Sequence, residues 1–212
     1  MHYSFYFKLS EFSLIKKIKH KLIKKFFSKE ELLLLQKYCS KKLHTNGEYN
    51  FEEGYNALRW YDDTVMNSIL EVKIDLLEKE IDLKLVPTYS YWRYYTEGSI
   101  LEKHYDRPAC EVSVTACIKK EGNWPIIVSE EEFELEEGEA VLYGGCNEEH
   151  YRPGKFTGKQ MAQVFLHYVD KNGVFSHHAY DEYCKKNYPF GESMKDTEIL
   201  QELRNQYKKR TV

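Results

Sequence analysis

The amino-acid sequence predicts an α+β fold, with helices first and then a mainly antiparallel sheet or barrel. Two observations carry this. Up to residue 80 the apolar residues recur at helical spacing, whereas after Pro87 they fall into short aromatic and β-branched runs separated by acidic or glycine-containing turns. A third observation removes the helical membrane classes. The longest uncharged apolar run is Leu32–Leu35, far short of the ~20 residues that a spanning helix needs.

The elements follow in order. From Leu14 to Phe27, apolar residues at 14, 15, 18, 22, 23, 26 and 27 alternate with lysines at helical spacing, which predicts a basic amphipathic helix. Ser28 and Glu31 form a capping-box pattern that opens a second helix over Lys29–Leu43. A third helix is expected over Asp62–Glu80, with Val65, Ile69, Val72 and Leu76 on one stripe. Strands are expected at 88–95, 111–118, 124–128, 133–137, 140–143 and 159–169, where β-branched and aromatic residues concentrate. An amphipathic helix over Asp196–Lys209 closes the chain.

The 212 residues suit one domain with attachments. The net charge of −3 conceals an asymmetry: residues 1–44 hold eleven Lys and three Glu, whereas the remainder is strongly acidic. This predicts a basic helical extension over 1–44 and a main domain over 45–212. The extension has three readings: a membrane-surface address, a device for nucleic acid or an acidic partner, or a stripe packed on the sheet with its lysines in solvent. The glutamate-rich run 129–139 reads as a solvated hairpin. Five cysteines, an odd number without a CxxC pair, read as reduced thiols, and the N-terminus lacks the apolar core of a secretory signal, so a cytoplasmic location is expected. The 18 Tyr, against 11 Phe and 3 Trp, suggest walls that need both apolar bulk and hydroxyl groups.

Candidate chemistry centres on YTEGSILEKHYD. His104 and Asp106 are two apart, so on a strand they share a face. One imidazole and one carboxylate make two thirds of a 2-His-1-carboxylate triad, which leaves positions open on Fe(II). His150, just after LYGG, is the best candidate for the second histidine, with His167 its rival. The plain alternative for HYD is a hydrogen-bonded His–Asp pair at the surface. Arg107, Trp124 and Arg152 flank these positions as candidate substrate contacts, Arg152 also for the proximal end of a co-substrate.

With Tyr95, Gly98 and Leu101 ahead of His104 and Asp106, then GEAVLYGG, then HYRPGKFTGKQMAQVF, the chain resembles the Fe(II)/2-oxoglutarate-dependent oxygenases, in their prolyl 4-hydroxylase-like branch, over roughly Tyr89 to Val169. The resemblance implies a double-stranded β-helix (jelly-roll) core with supporting helices. It also implies His104, Asp106 and His150 as catalytic iron ligands, and Lys159 with Tyr95 as the grip on the distal carboxylate of 2-oxoglutarate. Lys159 stands where many relatives have Arg. The implied activity is a dioxygenase using Fe(II), 2-oxoglutarate and O2 to hydroxylate a peptide or small polar substrate. The other reading is a non-catalytic jelly-roll binding module.

Overall fold

A computed structural model describes residues 18–45 and 50–181. The beginning of the first expected helix, Cys184 and the expected C-terminal helix lie outside the described residues. Among the described residues, eleven strands form two antiparallel sheets, accompanied by three α-helices: a large sheet in the order β1-β9-β6-β11-β4-β3-β2, and a small one in the order β5-β10-β7-β8. In the large sheet these are β1 Lys21–Ile23, β2 Asn50–Glu52, β3 Ala57–Tyr61, β4 Leu85–Thr96, β6 Val112–Glu121, β9 Ala140–Tyr143 and β11 Gln160–Asp170. In the small sheet they are β5 Leu101–His104, β7 Ile126–Val128, β8 Glu131–Phe133 and β10 His150–Arg152. This is a jelly roll, as expected.

Alternation along β11 shows how the layers form. Ala162, Val164, Leu166 and Tyr168 join the cluster that packs under the helices, whereas Met161 and Phe165 join a cluster between the sheets with Tyr95, Leu101 and Trp124. Both faces of the strand are covered, which explains its nearly unbroken buried run. Trp60 and Trp92 stack 3.9 Å apart on the helix side, and Tyr168 Oη donates to Leu70 O at 2.8 Å.

The helices are α1 Lys29–Lys42, α2 Thr64–Val72 and α3 Ile74–Ile81. The Ser28–Glu31 capping box is present, and Glu31 also takes Lys73 Nζ at 2.7 Å. The single helix expected over 62–80 is broken at Lys73. The break shifts the helical phase, so Val72 is exposed and Met66, Ile69, Leu70 and Leu77 form the buried face.

The described part of the first expected helix, residues 18–27, is corrected to β1 and a turn. β1 pairs with β9, Lys21 opposite Leu142 and Ile23 opposite Ala140, and so satisfies an otherwise open strand edge. Ile18, Phe26 and Phe27 are buried in the main core, and the Phe26 and Phe27 amides both donate to Gly138 O at 3.1 Å. Of the expected strand 133–137, only Phe133 is in β8. Among the described residues no helix is long and apolar enough to cross a membrane.

Candidate functional site

His104 ends β5 and His150 begins β10, and the two are directly opposed in the ladder, with ring centroids 4.3 Å apart. Asp106 lies past the end of β5, not on the strand face the sequence suggested. It is brought back by its own backbone N–H, which donates to Gly145 O at 2.9 Å. Gly145 permits this approach: a Cβ there would overlap Ser113 Oγ and lie 2.7 Å from Asp106 Oδ2. The ligand atoms of His104, Asp106 and His150 all lie within 4.8 Å of one another.

Each imidazole is oriented by a carbonyl. His104 Nδ1 lies 2.7 Å from Glu102 O, and His150 Nδ1 lies 2.9 Å from Glu148 O. With Nδ1–H donating to the carbonyl, each neutral ring presents its Nε2 lone pair to a metal. His104 Nε2 stands 3.8 Å from Asp106 Oδ1, and His150 Nε2 stands 3.5 Å from Asp106 Oδ2. A cavity of about 10 Å³, bordered by Tyr91, Arg93, Tyr143 and Phe165, opens at these groups. That is the space of one water or one ion.

The charges are coupled. Burial raises the Asp106 carboxyl, but the His150 imidazole beside it, with His167 and His104, holds it well below the usual carboxylate range. Burial lowers His150, yet Asp106 outweighs this and leaves it raised. His104 is lowered by burial and by its His150 neighbour. The result is an ionised carboxylate between two imidazoles, one of them biased towards the neutral, ligating form. A divalent cation would satisfy all three groups.

Ser113 Oγ supports the carboxylate. It lies 3.1 Å from Asp106 Oδ2, 3.2 Å from Cys110 O and 3.0 Å from His167 Nδ1. His167, the rival ligand, therefore stands behind Asp106, and with Cys110 it forms a second ligand-type trio around that carboxylate. Trp124 is a core aromatic whose Nε1 donates to Pro153 O at 2.9 Å. Arg107 stacks on Tyr89 at 4.4 Å.

Lys159 is not where the resemblance implied. Its side chain is 78% exposed and pairs with Glu121 at 3.0 Å. The chain turns there with Gly158 against Gly122, so close that a Cβ on Gly122 would meet the Gly158 backbone, and Lys159 N donates to Glu121 O at 2.8 Å. These contacts hold the residue at the rim, where an ammonium keeps its hydration.

Arg152, two residues after His150 on β10 and 3% exposed, is a buried cation, as are Arg93 and Lys73. Its Nη1 donates to Trp124 O and its guanidinium lies 5.3 Å from the Trp124 ring. Nε and Nη2 have no hydrogen-bond partner, nor have the buried Tyr95 Oη and Gln163 Oε1. Burial lowers the Arg152 pKa, while Tyr95, Cys117 and Tyr143 act the other way. A buried guanidinium with two unused donors, electrostatically coupled to a tyrosine whose hydroxyl is also unused, is suited to a carboxylate ligand. Arg152 follows His150 by two residues on β10, which is the signal by which the sequence offered it as a candidate contact. Glu148, also buried at 6% exposed, stands beside Glu149 in the segment between LYGG and His150, where nothing in its spacing marks it.

No family model matches the chain, and no curated protein matches it. Solved structures do. A prolyl 4-hydroxylase from Pseudomonas putida shares a TM-score of 0.55 at 12% identity, over 76% of this chain and 97% of that one. The viral collagen prolyl hydroxylase of Paramecium bursaria Chlorella virus-1, in complex with 2-oxoglutarate, gives 0.55 at 11%, over 73% and 97%. HygX from Streptomyces hygroscopicus, with nickel and 2-oxoglutarate bound, gives 0.57 at 10%, over 78% and 88%. The chain thus has the jelly-roll fold seen in 2-oxoglutarate- and iron-dependent oxygenases.

Proposed function

We propose that this protein is an Fe(II)- and 2-oxoglutarate-dependent dioxygenase that hydroxylates an unactivated C–H bond of a peptide or small polar substrate. The observation that carries it is the convergence of His104 Nε2, Asp106 and His150 Nε2, with both Nδ1 atoms engaged by carbonyls. Two imidazoles and one carboxylate would hold iron and leave positions open for the co-substrate and O2. Bound iron and 2-oxoglutarate supply the oxidising chemistry: the co-substrate is converted to succinate and CO2, with one oxygen atom of O2 in succinate and the other in the product.

The protein's own part is orientation and exclusion of water. Arg152 would receive the distal carboxylate of 2-oxoglutarate, with Tyr95 Oη adding a hydrogen bond; Lys159, held at the surface, is replaced in that role. Asp106, fixed by Ser113 and the Gly145 carbonyl, keeps the carboxylate ligand in place, which favours hydroxylation over halide transfer. The buried thiols of Cys39, Cys110 and Cys117 support a reducing, cytoplasm-like location.

The test is anaerobic. Fe(II) plus 2-oxoglutarate should give a visible metal-to-ligand charge-transfer band in the wild type, lost in His104→Ala and Asp106→Ala. No band in the wild type refutes the proposal, and a band that survives both substitutions refutes the ligand assignment.

A further inference from the structure

The face of the large sheet that borders the metal cavity continues beyond it, across β4 to β3. The ladder register puts Phe165, Tyr91 and Tyr61 in one row, and Gln163, Arg93 and Arg59 in the next. The aromatic row is a shelf of nearly parallel rings: Tyr91–Phe165 at 4.6 Å and 21°, Tyr61–Tyr91 at 6.1 Å and 12°. Tyr89 lies against Tyr61 at 5.1 Å.

The second row is cationic. Arg93 borders the cavity, with its guanidinium 4.1 Å from the Tyr55 ring and its Nε 2.7 Å from Glu52 Oε2. The same carboxylate, through Oε1, takes Arg59 Nη1 at 2.9 Å. One carboxylate thus serves two guanidiniums, and the buried Arg59 Nε has no partner. Arg59 and Tyr61 then form one side of a cleft of about 340 Å³ that Lys42 and Tyr38 also border. That volume lies within the roughly 300–1,000 Å³ of small-molecule sites. Asp63, also in the cleft, is engaged: it caps α2 through Val65 N at 3.0 Å and accepts Tyr38 Oη at 2.6 Å.

We infer that the substrate of this site is a small molecule with a flat apolar body and a carboxylate or phosphate at one end. The anion is received by Arg59 in the cleft, and the body lies along the Tyr61–Tyr91 shelf. The inference rests on the function proposed above and names its substrate class. The distance fits: β3 is two strand spacings from β11, roughly 10 Å, the length of such a molecule. The charge fits too, because Glu52 is shared between Arg59 and Arg93 and the Arg59 Nε donor has no partner, so an anionic ligand meets an unused guanidinium N–H.

The experiment uses full-length protein loaded anaerobically with Fe(II) and saturating 2-oxoglutarate, so that Arg152 is occupied. Three probes are titrated by calorimetry and by perturbation of the charge-transfer band: 3-phenylpropionate, phenyl phosphate and the neutral 3-phenylpropionamide. At least one anion should bind ten-fold or more tightly than the amide. Arg59→Gln should remove that difference, and Arg59→Lys should retain part of it, which separates lost charge from lost folding. The preferred anion distinguishes carboxylate from phosphate.

Equal binding of the amide, no binding by any probe, or unchanged anion affinity in Arg59→Gln overturns the inference. Absence of the band in the wild type strikes the proposed function instead. Calorimetric titration of the metal-free protein then still reads whether anion binding depends on Arg59.

Discussion

Arg152 and Lys159 show what burial decides at the scale of single residues. Arg152 ends β10 and Lys159 directly precedes β11, but one is 3% exposed with two unused donors and the other lies in solvent beside Glu121. Truncating a buried, hydrogen-bonded charge pair costs about 2–5 kcal/mol, so Arg152→Gln should weaken 2-oxoglutarate binding at least ~30-fold. Lys159→Ala should change it less than about two-fold, since exposed pairs contribute roughly 0–1 kcal/mol. Titration of the charge-transfer band checks both, and the reverse order of effects would return the role to Lys159. Without co-substrate, Arg152 is an uncompensated buried charge, so Arg152→Met should stabilise that state by about 1–3 kcal/mol. A lower melting temperature for Arg152→Met would show that the protein already satisfies the guanidinium. The HxD pair was legible from its frame of Tyr95, Gly98 and Leu101, although Asp106 reaches His104 through the turn that Gly145 admits and not by strand alternation. Arg152 was legible as a candidate contact beside His150, but its burial and the exposure of Lys159 were not, because spacing does not say which cation the chain turns into the core.

Among the elements, the β9–β10 loop governs the metal ligands. The Glu148 carboxylate accepts Gly144 N at 2.8 Å and Ser129 Oγ at 3.1 Å and bonds His20 ahead of β1, while its carbonyl orients His150. Removing it leaves a buried N–H and a hydroxyl without an acceptor, at about 1–3 kcal/mol each. Glu148→Ala should therefore destabilise the protein by roughly 2–4 kcal/mol and weaken iron binding. His20→Ala leaves the loop's internal bonds in place and should cost about 1 kcal/mol, with a smaller loss of iron affinity. Chemical denaturation and iron titration read the two effects separately, and a His20→Ala loss equal to that of Glu148→Ala would contradict the arrangement. The large elements were legible: α1 from its capping box, and β4, β6 and β11 from their length and composition. β2, β5 and β10 were not, because three or four residues cannot display a period of two. The 18–27 stretch was misread because its apolar spacing suits a helix, whereas the open edge of β9 recruits three of its residues as a strand.

For the whole molecule, the pH dependence of stability has separable parts. Burial raises Glu31, but its bonds to Lys73 and the Ser28 amide outweigh this and hold it below its ordinary value. Asp106 is likewise depressed. Their contributions are present above the ordinary carboxylate pKa and are lost only as pH falls through the depressed values, so they shape the acid limb. Glu111 acts in the opposite sense. It is 7% exposed, accepts Asp170 N at 2.8 Å, and is pushed by burial to about 7. Between about 4.5 and 7 the folded state binds the extra proton, so stability is full below the unfolded pKa and declines as pH rises through the folded one. The shift corresponds to about 3 kcal/mol lost by pH 8. His20 adds to the same trend: burial lowers it, but Glu148 and Glu131 leave it raised, and its contribution is lost as pH rises past its folded value. Glu111→Gln keeps an acceptor for Asp170 N and removes the titration. Its unfolding free energy should match the wild type near pH 4 and exceed it by about 3 kcal/mol at pH 8, read from denaturant melts at each pH. Parallel wild-type and Glu111→Gln curves across that range would show that Glu111 is ionised in the folded protein at neutral pH without penalty, and that the decline with rising pH belongs to the raised histidines, His20 and His150.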